Sequence, residues 1–182
     1  MDYEIRPPRP DEALGWEKLR VVSWRKAYTG TFTAEMFAKQ EAQIEDRAAQ
    51  FAQWLESTGG TGEDIQPQLG QRRRALVAVK APCPLEGNLP PANPQDGSLL
   101  GLAFSSQMPY EVQKLEMLYL LPSAFGTGVA QSLMQAVLDQ GPAELEVLTD
   151  NARAIRFYEK EGFRIGQTDE FAGRKTYIMT RP

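Results

Sequence analysis

Two glycines, Gly126 and Gly128, stand between an apolar run that ends at Pro122 and a segment in which Val129, Leu133 and Val137 recur at helical spacing. A strand, a glycine turn and a helix in that order can bind an anion. Small residues let a ligand approach the backbone, and the unpaired N–H groups at a helix start favour negative charge, most obviously a phosphate. A Walker loop would continue with Lys and then Ser or Thr, but Val129, Ala130 and Gln131 follow here. A dinucleotide fingerprint would need Gly or Ala at Gln131 and an early βαβ unit, whereas this turn lies late in the chain. Taken alone, the two glycines are equally compatible with a turn that only redirects the chain.

A second constellation lies downstream. Asn151 and Tyr158 are seven residues apart, about two helical turns, and so fall on nearly one face of a helix. A phenol with its ordinary pKa near ~10 is protonated at neutral pH and can donate. The segments LYLLPSAFGTGVA (Leu118–Ala130) and LEVLTDNARAIRFYEKEGF (Leu145–Phe163) together resemble the GNAT superfamily of N-acetyltransferases. That family carries Gln/Arg-x-x-Gly-x-Gly/Ala at the turn after its fourth strand, and Asn-x-x-Ala-x-x-Phe-Tyr-x-x-x-Gly-Phe after its fifth. The second pattern is complete in Asn151, Ala154, Phe157, Tyr158, Gly162 and Phe163. The first is present at Gly128 and Ala130, with Phe125 in the Gln/Arg position.

The resemblance implies acetyl-CoA as co-substrate and direct transfer of its acetyl group to a primary amine in a ternary complex, with no metal. Backbone N–H groups of Gly126, Thr127, Gly128, Val129, Ala130 and Gln131 would hold the pyrophosphate without the cationic side chains the family often places there. Leu118, Tyr119 and Leu120 would pair through their backbone with the pantetheine arm, in a splay between the fourth and fifth strands. A backbone N–H there would also face the oxyanion of the tetrahedral intermediate. Tyr158 would protonate the departing thiolate and Asn151 would touch the cofactor. Because the chain contains no histidine, a base must be a carboxylate, a tyrosine or water relayed to one. Glu146 occupies the strand position at which ribosomal-protein alanine acetyltransferases of the family carry a catalytic glutamate, and Glu116 is its rival. A noncatalytic sensor of coenzyme A is the alternative reading.

The elements that must position these residues follow from pattern. A chain of 182 residues can bury one substantial core, so a single domain over 1–182 is expected. Tyr3–Arg6 reads as a strand, stopped by prolines. Asp11 is placed to cap a helix through Leu14, Trp16, Leu19 and Val22, and a second helix is expected over Ala34–Leu55. Between them SWRKAYTG (Ser23–Gly30) is similar to the segment lining the acceptor pocket in many bacterial members. This makes Trp24, Tyr28 and Phe32 substrate-binding candidates, although their helical spacing also suits packing on a sheet. Gly59–Gly70 and Pro82–Gly97 read as surface loops. Ala75–Lys80, Ser98–Ser106, Leu145–Thr149, Phe163–Gln167 and Thr176–Met179 read as strands. The Arg72–Arg74 run reads as a solvated cluster or an anion site.

The expected fold is therefore α/β: a mixed, mostly antiparallel sheet of six or seven strands flanked by about four helices. A net charge of −4 argues against nucleic acid as the main partner and favours a cationic small molecule. An amine-bearing small molecule or a protein N-terminus is the expected acceptor. No run has the length and apolarity of a signal peptide or a membrane span, so a cytoplasmic protein without membrane partners is expected. Family members often form homodimers. Cys83, the single cysteine, lies between prolines and reads as an incidental loop thiol.

Overall fold

The computed structural model describes residues 2–66, 71–81, 99–107 and 112–182. Cys83 and the proline-rich Pro82–Gly97 loop lie outside the described residues. In chain order the elements are β1 (Tyr3–Arg6), α1 (Ala13–Tyr28), α2 (Ala34–Ala42), α3 (Ile44–Ser57), β2 (Glu63–Gln66), β3 (Gln71–Lys80), β4 (Leu99–Gln107), β5 (Gln113–Leu120), α4 (Val129–Val137), β6 (Ala143–Leu148), α5 (Ala152–Lys160), β7 (Arg164–Phe171) and β8 (Arg174–Arg181). One open sheet carries the described strands in the order β1-β3-β4-β5-β6-β8-β7, with β2 paired to β3. Among the described strands only the β5–β6 pair is parallel. Among the described residues no helix is long and apolar enough to cross a membrane.

Alternation along the strands divides the core between the two faces of the sheet. On one face Leu133, Met134 and Val137 of α4 pack with Leu145, Tyr158, Phe163 and Met179. On the other, Trp16 and Leu19 of α1 pack with Val77, Leu99 and Leu102, and Phe51 and Trp54 of α3 close over them. The four-residue spacing of Val129, Leu133 and Val137 therefore does what the sequence pattern predicts, since all three are buried.

Three expectations are corrected. The Ala34–Leu55 helix breaks at Gln43, whose backbone leaves helical geometry, because its halves bury against different parts of α1. Phe37 of α2 packs on Trp24, whereas Phe51 of α3 packs on Trp16. Second, α1 is not capped by Asp11. Glu12, buried at 3% exposure, instead accepts from the Arg9 amide at 2.8 Å and from both terminal nitrogens of Arg6 at 2.8 and 2.6 Å. Burial opposes its charge, but these donors outweigh the burial and hold the carboxyl below its usual range. Third, the polar Gly59–Gly70 stretch contains β2, whose Glu63 and Asp64 stand opposite Arg74 and Arg73 of β3. Arg72 and Arg74 also pair with Asp139 beyond α4, so the arginine run joins neighbouring segments by cross-strand ion pairs.

The feature that shapes the site is a failure of pairing. β5 meets β6 only at Gln113–Leu115 against Ala143–Leu145, although β5 continues to Leu120 and β6 to Leu148. On its other side β5 carries a bulge: Phe104 faces Met117 and Ser105 faces Leu115, leaving Glu116 as the extra residue. A bulge bends its strand, and this one lies immediately after the last β5–β6 pair. The two strands part there, and the β6-facing edge of Glu116–Leu120 has no sheet partner among the described residues.

Candidate active site

A cleft of about 430 Å³ opens where β5 and β6 diverge. Its walls come from Leu115–Leu120, from Glu146 and Val147 of β6, from the glycine turn, and from Asn151, Phe157 and Tyr158 at α5. The end of α1 lies over it. The Ser23 hydroxyl donates to the Leu120 carbonyl at 3.1 Å, and the Asn151 amide nitrogen reaches the Tyr28 hydroxyl at 3.5 Å, so α1 is tied to both sides of the gap.

At one end, a single 3-10 turn at Pro122–Ala124 leads into Gly126 (φ 76°) and Gly128 (φ 88°), left-handed conformations that an L side chain would strain. α4 then starts, and its first hydrogen bond runs from the Ser132 amide to the Gly128 carbonyl. The Val129, Ala130 and Gln131 amides thus have no acceptor within their helix, the arrangement in which a helix start favours an anion. Within the turn, the amide and the hydroxyl of Thr127 both donate to the Ala124 carbonyl, at 3.4 and 2.7 Å, and so hold the turn together. Val129 contributes only backbone, because its side chain is fully buried in the core.

The missing charge of the turn is supplied from elsewhere. The Arg153 guanidinium, from the first turn of α5, stacks on the Phe125 ring at 3.5 Å and lines the cleft. Nearby, Gln131 donates to Glu161 at 3.3 Å, joining the start of α4 to the end of α5.

Asn151 caps α5 by accepting from the Ala154 amide at 3.2 Å, which fixes the helix that presents Tyr158. Tyr158 is held by edge contacts to Phe157 and Phe163 with ring centres 5.3 and 5.9 Å away. Burial, reinforced by the neighbouring Tyr28 and Tyr119, pushes its phenol above the ordinary range. Burial likewise raises Tyr119 and Tyr28, the latter despite its bond to Asn151. All three phenols are therefore proton donors, not bases, at neutral pH.

A second cavity of about 240 Å³ adjoins the first, and both are lined by Tyr28, Leu115, Glu116, Tyr119 and Glu146. Trp24, Phe32, Lys114, Leu148, Phe171 and Thr176 belong to the second alone. Trp24, Tyr28 and Phe32 thus line a cavity and pack on one another: Trp24 stacks on Phe32 at 5.1 Å and meets Tyr28 edge-on at 5.9 Å. The two carboxylates at the junction differ. Glu116 accepts from Ser106 at 2.7 Å and lies 3.7 Å from the Lys114 ammonium. Glu146 accepts from the Thr176 hydroxyl at 2.7 Å and, among the described residues, has no ion-pair partner.

The sequence-predicted residues Leu118, Tyr119, Leu120, Gly126, Gly128, Ala130, Gln131, Asn151 and Tyr158 therefore converge on one cleft, with Glu146 between it and the aromatic cavity. Sequence reasoning missed Arg153, Ser23 and Phe171. A cation two residues after the helix cap was a visible signal for Arg153, whereas nothing in the sequence brings Phe171 to this cavity.

Comparison with known proteins agrees with this geometry. The acetyltransferase (GNAT) family model matches residues 65–163. An uncharacterized N-acetyltransferase of Mycobacterium tuberculosis is 38% identical over 96 residues, which cover 47% of this chain and 62% of the relative. The chain thus spans under two thirds of the length of the curated relatives it matches. Among solved structures, the PaiA N-acetyltransferase of Thermoplasma acidophilum in complex with coenzyme A aligns with 100% of this chain and 99% of its own, at 19% identity and a TM-score of 0.67. A GCN5-related N-acetyltransferase from Rhodopseudomonas palustris covers 100% and 96%, at 20% identity and a TM-score of 0.61. These likenesses establish the fold, a mixed and mostly antiparallel sheet with helices on both faces.

Proposed function

Because the chain belongs to the GNAT acetyltransferase family, we propose that it transfers the acetyl group of acetyl-CoA directly to a primary amine. The observation that carries this reading is the parting of β5 from β6, which brings an unpaired strand edge, the helix start at Ala130 and Gln131, and a buried tyrosine to one cleft. The residues fit the co-substrate. The Val129, Ala130 and Gln131 amides with Arg153 suit a pyrophosphate, and the open edge of Glu116–Leu120 suits the amides of a pantetheine arm.

In the reaction, the neutral amine nitrogen attacks the thioester carbonyl carbon and a C–N bond forms. A backbone N–H of the β5 edge stabilises the oxyanion. The C–S bond then breaks, and the Tyr158 hydroxyl gives its proton to the thiolate. The proton lost by the amine passes to Glu146, directly or through water. Glu146 is preferred to Glu116 because Lys114 already neutralises Glu116, and to the tyrosines because burial keeps them protonated. Asn151 positions α5 and bridges to Tyr28.

The test is free-thiol release from acetyl-CoA across a panel of primary amines, with acetyl-CoA binding measured in parallel. Release that depends on an amine supports the transferase. Binding without release for every amine would instead mark a noncatalytic coenzyme A sensor.

A further inference from the structure

We propose that the acceptor is a small primary amine on an aromatic or apolar body, an arylalkylamine in chemical type, rather than a polyamine or a peptide N-terminus. This rests on the transferase reading and names the substrate of the same site.

Position along the two cavities carries the inference. The amine must reach the acetyl group, so it sits where the cavities meet, and that junction holds both carboxylates and the Tyr28 and Tyr119 hydroxyl-bearing rings. Glu146 has no cationic partner among the described residues, and a carboxylate in that state suits an arriving ammonium. Away from the junction the lining changes character. Trp24, Phe32, Leu148 and Phe171 are apolar, while Lys114 and Thr176 turn back to the junction carboxylates Glu116 and Glu146. Among the described lining residues a second ammonium, as in a diamine, would find no carboxylate beyond Glu116 and Glu146, and Glu116 already faces Lys114. A ring would find other rings.

The aromatic wall is also already built. Trp24 and Phe32 are stacked nearly parallel, with 18° between their planes, and Phe37 supports Trp24 from another side at 5.1 Å. Such a self-supporting surface binds a flat body without first having to be ordered. Phe171, at 54% exposure on the end of β7, leaves an uncovered ring on the same cavity.

The experiment compares 2-phenylethylamine, 1,4-diaminobutane and an alanine-initiated tetrapeptide, by thiol release from acetyl-CoA and by calorimetric binding to the intact protein. The expected result is a kcat/KM for 2-phenylethylamine at least about tenfold above either competitor. Phe171→Ala and Phe32→Leu should each raise its KM by about fivefold or more while leaving the KM for acetyl-CoA unchanged. Phe171 is exposed, so its variant tests the cavity without disturbing the core. Preference for the diamine or the peptide, or KM values indifferent to both substitutions, would overturn the inference. If no amine releases thiol, the transferase reading fails, and the calorimetry decides separately: tighter binding of 2-phenylethylamine than of 1,4-diaminobutane keeps the assignment of the cavity, and equal or weaker binding removes it.

Discussion

The Arg153 guanidinium lies 3.5 Å from the centre of the Phe125 ring, so a residue of α5 is held over the turn that begins α4. Phe125 stands where the related pattern has Gln or Arg, and along the sequence the turn carries no charged side chain. In three dimensions the ring serves as a platform for a cation that comes from the next helix. If this pair serves the pyrophosphate, Arg153→Ala should weaken acetyl-CoA binding by about tenfold, or about 1.4 kcal/mol. Phe125→Ala should weaken it by less, since an exposed cation–π contact contributes only about 0.5–1 kcal/mol. Titration calorimetry at low and high salt checks this, because Arg153→Ala, lacking that cation, should lose less affinity as salt rises than the wild type does.

Tyr158→Phe should lower kcat by about a hundredfold or more, with acetyl-CoA affinity unchanged. The pH dependence has a definite sign. Burial raises the phenol, so its proton-donating form persists beyond the ordinary value near ~10. The kcat of the wild type should therefore not fall through loss of this proton between about pH 8 and 9.5. An alkaline limb in that window that disappears in Tyr158→Phe would show the phenol titrating there and contradict its raised value, whereas an unchanged kcat in Tyr158→Phe would remove the acid role.

Replacement of Glu146 by Gln keeps the shape and the bond from Thr176 but removes the proton acceptor. Its kcat/KM for the amine should drop by about ten- to a hundredfold, with binding of acetyl-CoA intact. Glu116→Gln should have the smaller effect, because Glu116 is already engaged by Ser106 and Lys114. A reversed order in steady-state kinetics would move the base to β5.

Away from the site, Glu12→Gln should destabilise the protein by about 3 kcal/mol at neutral pH, because Arg6 loses its buried bidentate partner. The Glu12 carboxyl is held below its usual range in the folded state. Its contribution is therefore present above the unfolded value of about 4.3 and is lost as pH falls through the lower, folded value. Urea unfolding should show the gap between wild type and variant closing in acid.

Patterns carried by apolar periodicity were legible before the structure. Val129, Leu133 and Val137 announce a buried helix, and the Asn151–Phe163 motif locates Tyr158 in the cleft. What escaped has no such periodicity. β2 is polar and exists because Glu63 and Asp64 face arginines of β3, a relation visible only in register. The break at Gln43 arises because α2 and α3 pack against different stretches of α1, a tertiary cause that helix propensity does not report. The placing of Thr127 and Arg153 escaped for a similar reason. The turn closes on itself through Thr127, and the cation arrives from a residue 28 positions beyond Phe125.

A crystal structure of the protein with coenzyme A tests the site most directly. The pyrophosphate should accept hydrogen bonds from the Val129, Ala130 and Gln131 amides beside Arg153, and the pantetheine arm should pair with the free edge of β5 between Glu116 and Leu120, leaving its sulfur near the Tyr158 hydroxyl. Coenzyme A bound away from the β5–β6 gap, or with its sulfur remote from Tyr158, would contradict the account.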